Sequence, residues 1–426
     1  MFKILGITVL LQALGYFFQF FGFFLFAKVL GSENQGILSL FRATGQVIAS
    51  LISVGLPGAI IYFVGKNKNL FSSTTINCLK FAFVMLPFLG LFLWILPLDI
   101  SVKAYLVRGY IPHILIFVLV LSSYEIFEVS ILSLREYFLY NLFTFGAGII
   151  VFVFSALIWH LPDVANKLNL SIVAYLTAYG LMSIYGAMIF LSERRKIGGV
   201  PAKQSLWEQF RVGLRGFISN VGGLLLFRID LFIVGYFLSI REVGIYSIAL
   251  FGTEMITKIP NWSAAILTPM VASGEVGHVK RTVYLFYSAI ILAFLFGLVF
   301  FFVNAIFSDF ISSLIGKDFG GVETCLLLLL PRVIMQSGIS ILAANLAGKG
   351  YPWYHPLGCA IPLVFLVLLD IVLVPKLGIN GAALGGSLAH VSAFIIFLIG
   401  FRKYNQISND SGFKSYWVMI RGLIHC

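Results

Sequence analysis

Apolar residues run along this chain in unbroken blocks, each closed by a short polar or glycine-containing break. A helix needs about 20 apolar residues to cross a hydrocarbon core of ~30 Å, so each block predicts a transmembrane helix. Twelve are predicted, at 5–29, 36–64, 79–97, 111–134, 140–159 and 170–191, then 213–238, 243–272, 283–307, 322–347, 354–374 and 378–401. The first block continues to residue 30 without a small-residue cleavage motif and reads as a retained span. The longest interior break, "SERRKIGGVPAKQ", falls near the midpoint. The expected fold is therefore an all-α integral membrane protein with about 12 transmembrane helices in two six-helix bundles. Its parts are 1–191, a linker loop at 192–212, 213–401, and a tail at 402–426 whose "YWVMIRGLIHC" is too short and too charged to span.

Sliding the chain by 208 residues lays Val29–Gln46 on Phe237–Glu254. Gly36 then meets Gly244, Ile37 meets Ile245, Ser39 meets Ser247 and Gln46 meets Glu254. Two related halves with a substrate site between them is a recurring transporter plan.

Composition agrees with the pattern. Of 426 residues 60% are hydrophobic and only 11% charged, against about 25% charged in soluble domains. The net charge is +12, and most of it lies in alternate loops. With the N-terminus in the cytoplasm, 17 Lys and Arg fall in inner loops and termini and seven in outer loops, which obeys the positive-inside rule and puts both termini in the cytoplasm. Basic loops beside a bilayer need no nucleic-acid partner.

Five cations remain inside spans: Arg42, Arg215, Arg228, Lys258 and Arg332. So do five acids: Glu125, Glu128, Asp230, Glu254 and Asp370. Charges at membrane depth are costly and face a partner or a cavity. Arg215 and Asp370 lie near predicted span ends, where snorkelling is the plainer reading. Glu254 and Lys258 are four apart in the order that favours an intrahelical pair, whereas Arg228 and Asp230, two apart, must each find a partner elsewhere. Helical spacing gathers polar stripes: Gln12, Tyr16 and Gln19; Arg42, Gln46 and Ser53; Glu125 and Glu128; Ser247, Glu254, Lys258 and Asn261. Such stripes line a shared hydrated cavity or glue helices together. Cys78, Cys325, Cys359 and Cys426 show neither C-x-x-C nor metal-ligand spacing, so no disulfide and no metal are expected.

Several stretches carry a family resemblance. "GLRGFISNVGGLLLFRIDLFIVGYFLSIREVGIYSIALFGTE" has an aspartate, an apolar run and glycine, then "VGIYSIA". It resembles the seventh and eighth helices of polysaccharide flippases in the multidrug/oligosaccharidyl-lipid/polysaccharide exporter superfamily. "LTPMVA", "LVPKLGINGAALGGSLAH" and "AKVLGSENQG" resemble that family's eighth helix, twelfth-helix entry and first turn, the last with Lys28 where arginine is usual. The resemblance implies the fold of these exporters. It also implies translocation of an undecaprenyl-diphosphate-linked oligosaccharide, an O-antigen or capsule repeat unit, across the bacterial inner membrane by alternating access. A polysaccharide polymerase and a chain-length regulator are the partners it suggests, besides the lipid bilayer.

The residues fit that expectation chemically. An unpaired diphosphate cannot cross a low-dielectric core, and buried Arg and Lys offer it charge-assisted hydrogen bonds. Arg42, Arg228, Lys258 and Arg332 are the candidates, with Gln12, Tyr16, Gln19, Gln46 and Asn261 lining the cavity. Glu125, Glu128 and Glu254 are candidates for coupling to H+ or Na+, or they neutralise the cavity cations. No cofactor and no catalytic residue is expected. A drug/cation antiporter of the same superfamily stays open, though several buried cations argue against it. So does a membrane polymerase or glycosyltransferase, although the six histidines show no catalytic spacing.

Overall fold

A computed structural model describes residues 2–95, 105–162, 166–197, 203–306 and 310–405; at 2–13, 92–95, 105–109, 215 and 310–312 it describes the backbone alone. Every regular element among the described residues is helical. In the first half these are α1 (Phe2–Ser53), α2 (Leu56–Lys66), α3 (Phe71–Ile95), α4 (Tyr105–Ser133), α5 (Tyr137–Trp159) and α6 (Lys167–Ile197). In the second half they are α7 (Leu206–Phe237), α8 (Ile240–Ala272), α9 (His278–Ile306), the short α10 (Phe310–Ile315), α11 (Val322–Gly348), α12 (Tyr354–Leu377) and α13 (Ile379–Tyr404).

Ten of these helices are long and apolar enough to cross a membrane. Helix α1 is two spans joined at Gly31, whose φ of 72° and ψ of 173° break the helix in a single residue. The expected loop at 30–35 is thus a kink. With the more polar α8 the spans number twelve, which places both ends of the bundle on one face, called here the terminal face. Large apolar side chains such as Phe83, Phe88, Met188, Val299 and Val364 are exposed, as lipid-facing positions must be.

Three boundaries differ from the hydropathy pattern. Helix α3 starts at Phe71, eight residues before the expected span, because Thr74 and Thr75 return their hydroxyls to the carbonyls of Leu70 and Phe71 and so continue a helix through a polar stretch. The linker is shorter than 192–212, since α6 runs to Ile197 and α7 begins at Leu206. The tail at 406–426, and with it Cys426, lies outside the described residues.

Helix α1 belongs to both halves of the core. Phe26, Leu38 and Phe41 pack with α4, α5 and α6 through Phe117, Phe143 and Tyr175. Phe23, Ala27, Leu40 and Ala43 pack with α7, α8 and α11 through Val234, Tyr246 and Leu329. The seam between the halves therefore runs along α1.

At the far face the seam closes backbone to backbone. A Cβ on Gly36 would overlap the Ile240 carbonyl oxygen, and one on Gly244 would overlap that of Ser32. Ser32 and Ile240 are themselves 208 positions apart, like Gly36 and Gly244. The contact is thus symmetric, as expected where a pseudo-two-fold axis passes between related helices. Only glycine allows helices to approach so closely.

At the terminal face closure is polar. Gln209 of α7, fully buried, donates from Nε2 to the Thr74 carbonyl (3.1 Å) and lies 3.0 Å from Cys78 Sγ. Asn77 donates to the Gln204 carbonyl (3.0 Å) and to Gln209 Oε1 (3.3 Å). Beside this latch Gly55 and Gly213 touch through their backbones, Gly55 in the left-handed region at φ 71°.

Gln209→Ala leaves two buried hydrogen-bonding partners unsatisfied. The expected cost is about 1–2 kcal/mol, or roughly ten-fold in the population open at the terminal face. The readout is labelling of Cys78 by a maleimide, which rises by that factor in Gln209→Ala and stays at the wild-type rate in Gly36→Ala.

Candidate functional site: a charged cavity on the seam

Between the two closures lies a cavity of about 240 Å³. Its first-half wall carries Tyr16, Gln19, Arg42, Gln46, Glu125 and Glu128, and its second-half wall carries Arg228, Glu254 and Lys258. Nine sequence candidates on four helices therefore converge. The 4-residue spacing of Arg42 and Gln46 and the 3-residue spacing of Glu125 and Glu128 orient each pair inward.

Arg228 is the clamp of the seam. Its Nε donates to Gln46 Oε1 at 2.9 Å, while Nη1 and Nη2 grip both oxygens of Glu254, the latter at 3.2 Å. Gln46 and Glu254 are equivalent positions of the 208-residue repeat, so one guanidinium takes the same side-chain position from each half. Glu254 is spent on this pair. The intrahelical Glu254–Lys258 pair weighed from spacing gives way to it, because a bidentate guanidinium satisfies both carboxylate oxygens at once.

Arg42 makes no ion pair among the described residues. Its guanidinium lies 4.5 Å from the centre of the Tyr175 ring, 5.5 Å from Phe23 and 5.9 Å from Phe251. Aromatic faces stabilise a cation without consuming its charge. Lys258 is held similarly, 4.9 Å from the Tyr16 ring, which itself packs on Trp262 at 5.5 Å. Glu128 accepts a hydrogen bond from Tyr140 and lies within electrostatic range of Lys258. Across the cavity, then, Arg228 is held in a close ion pair, while Arg42 and Lys258 are stacked on aromatic rings with carboxylates only at longer range.

Two candidates lie elsewhere. Arg332 is 1% exposed and donates to Asp230 Oδ2 at 2.8 Å, inside the second half and away from the cavity wall. Asn261 accepts a hydrogen bond from Ser340 at 2.6 Å and ties α8 to α11. The side chains of Gln12 and Arg215 lie outside the described residues. Asp370, read as snorkelling near a span end, is fully buried instead, since Pro362, Leu366, Asp370 and Val374 form the inward face of α12. The cavity also has walls that charge alone did not reveal. Tyr124, Tyr179 and Thr144 line it. Tyr175 and Tyr179, four apart on α6, are the signal that hydroxyl spacing held.

The family profile described as "Polysaccharide biosynthesis protein" matches residues 3–275, more than half the chain. The chain belongs to that family. It is 23% identical over 387 residues to the probable low-salt glycan biosynthesis flippase Agl15 of Haloferax volcanii, covering 87% of this chain and 77% of that protein. Its fold is similar to that of the lipid II flippase MurJ in an inward closed conformation, with a TM-score of 0.66, 14% identity, and coverage of 98% of this chain and 96% of that one. It is also similar to a MOP-superfamily transporter from Pyrococcus furiosus described by a reversed polarity of its binding pocket, with a TM-score of 0.65, 13% identity and coverage of 94% and 95%. This family member thus has the twelve-helix exporter fold that its motifs resemble, and it is a multi-pass membrane protein.

Arg228→Ala strands Glu254 in a half-dry wall and is expected to cost about 3 kcal/mol. The Arg228→Ala/Glu254→Ala pair should cost less than Arg228→Ala alone. Thermal unfolding of the wild type and the two purified variants in one detergent checks the sign.

Proposed function

We propose that this chain flips a polyprenyl-diphosphate-linked oligosaccharide, an undecaprenyl diphosphate carrying an O-antigen or capsule repeat unit in a bacterial inner membrane, from the cytoplasmic to the outer leaflet. One observation carries the reading: Arg42, backed by aromatic rings and without a close ion pair among the described residues, stands on the wall of a polar cavity at the seam. A cation so placed is held ready for an anion that arrives from outside the protein. Lys258, stacked on Tyr16 across the seam, supplies a second contact. Tyr16, Gln19, Gln46, Tyr124 and Tyr179 offer the mix of hydroxyl, amide and aromatic surface that a glycan requires.

Transport in this reading makes and breaks no covalent bond. A volume near 240 Å³ falls below the ~300–1,000 Å³ of ordinary small-molecule pockets. It accommodates a diphosphate with part of a sugar, so loading requires that one closure part. Opening the Gln209 latch admits substrate from the terminal face, taken as cytoplasmic from the loop charges. Parting the Gly36–Gly244 contact releases it at the far face. The polyprenyl tail stays in lipid beside the seam. The names borne by the relatives, a glycan biosynthesis flippase and a lipid II flippase, support this substrate class.

The test is the sidedness of the lipid-linked oligosaccharide in cells depleted of the protein and complemented at matched expression. Wild type should clear the intermediate from the inner leaflet. Arg42→Ala should slow clearance by roughly ten- to a hundred-fold, the value of a lost charge-assisted hydrogen bond of about 1.5–3 kcal/mol. Arg42→Lys should recover part of it, because lysine keeps the charge and loses the bidentate fork. Unchanged sidedness on depletion overturns the reading in favour of drug or cation export.

A further inference from the structure

The seam cavity carries charge of both signs, and the flippase reading uses only the positive one. Arg42, Arg228 and Lys258 line it together with Glu125, Glu128 and Glu254. Glu254 is taken by Arg228, and Glu128 has the Tyr140 hydroxyl and the charge of Lys258 to answer it. Glu125 has no such partner. It makes no close ion pair among the described residues, and the charged neighbour that acts on it is a second acid, Glu128.

Two phenols face the same space. Tyr124 and Tyr179 are each 8% exposed and line the cavity, and neither hydroxyl meets a hydrogen-bond partner among the described residues. Packing fixes their rings. Tyr124 stacks on Phe143 with centroids 4.8 Å apart and meets Tyr179 edge-on at 5.1 Å. Tyr179 lies within electrostatic range of both Arg42 and Glu125, so the unpaired cation and the unpaired acid border one phenol. These four residues stand on α1, α4 and α6 of the first half, so their arrangement does not depend on which face of the seam is open.

A neutral glycan would answer Arg42 through the diphosphate and leave Glu125 uncompensated at membrane depth. A proton would neutralise Glu125 but leave the phenols without a donor. A protonated amine does both, for it brings a positive charge and three N–H donors. We propose that the glycan is zwitterionic: the sugar beside the diphosphate carries a free amino group, whose ammonium donates to Glu125 and to the Tyr124 and Tyr179 oxygens while the diphosphate lies on Arg42. A volume near 240 Å³ limits this contact to the directly attached sugar. Glu128 backs the site, because the ammonium replaces the charge that Lys258 withdraws when it turns to the diphosphate. No bond is made or broken and no proton is transferred. The proposal rests on the flippase reading of the same cavity and names the substrate within it.

Binding to the purified protein in lipid nanodiscs tests it, at a mildly acidic pH that keeps the amine protonated. Two probes are compared, a polyprenyl diphosphate bearing glucosamine and one bearing N-acetylglucosamine, which differ only in the acetyl group that removes the charge. Wild type should bind the amine about ten-fold more tightly, the scale of one charge-assisted hydrogen bond. Glu125→Gln, which keeps the shape of the side chain, should bring the ratio close to one, and Glu125→Asp should keep a preference for the amine. Tyr124→Phe/Tyr179→Phe should lower the ratio a few-fold. Arg42→Ala should weaken both probes alike. Equal affinities in wild type overturn the proposal, and so does a preference that survives in Glu125→Gln; either result leaves the flippase reading in place. Should Glu125→Gln fail to fold, an undiminished ratio in the two-phenol variant overturns it instead. A polyprenyl diphosphate without sugar is the control. If neither it nor either probe binds wild type, the flippase reading falls, and this proposal with it.

Discussion

The structure depends on how Arg228 is held. A guanidinium keeps its charge inside a membrane protein, so acceptors or aromatic faces must offset the cost of burying it. Here the acceptors come from opposite sides of the seam, Gln46 from one limb of α1 and Glu254 from α8. The two are repeat-equivalent, yet one is an amide and the other a carboxylate. That difference matters. Two carboxylates would leave an excess negative charge in the cavity, and two amides would leave the arginine uncompensated. One of each gives a neutral clamp, and it leaves the charges of Arg42 and Lys258 for something else.

The same pseudo-symmetry shapes how the seam is closed. At the far face the halves meet through glycine backbones, contacts that need close approach but carry little bonding. At the terminal face they meet through amide hydrogen bonds around Gln209. Neither closure contains an ion pair among the described residues, and both faces are sealed by interactions that part at modest cost. The charged clamp lies between them, where it ties α7 and α8 of the second half to Gln46 of the first.

Much of this was legible in the residues, for physical reasons. Lipid demands long apolar runs, so the twelve spans and the all-helical class follow from hydropathy. Helical spacing identified which side of each span is polar, and so brought Tyr16, Gln19, Arg42, Gln46, Glu125, Glu128, Glu254 and Lys258 to one cavity. Spacing cannot say which neighbour a face meets. Arg332 has the chemistry of a cavity cation, but its neighbours in space are Gly386 of α13 and Asp230, the latter a pairing fixed by packing across more than a hundred residues. Asp370 misled for a different reason. Pro375 and Lys376 made the predicted span end early, while the four-residue rhythm through Leu366, Asp370 and Val374 marked an inward face.

Separating the two charge systems gives each a distinct role. The cavity acids and cations sit at the seam around an internal space, so their charges face whatever fills the site. The Asp230–Arg332 pair is buried among five helices of one half, α7, α8, α11, α12 and α13, where its attraction is little screened. Screened charges suit recognition, since they adapt to a variable glycan at little cost. Unscreened charges suit holding helices together, since breaking a buried pair leaves an uncompensated charge. Helix α7 carries one member of each system two residues apart, Arg228 toward the cavity and Asp230 toward the core. Their opposite directions, which bar a pair along the helix itself, are what let a single helix answer to both.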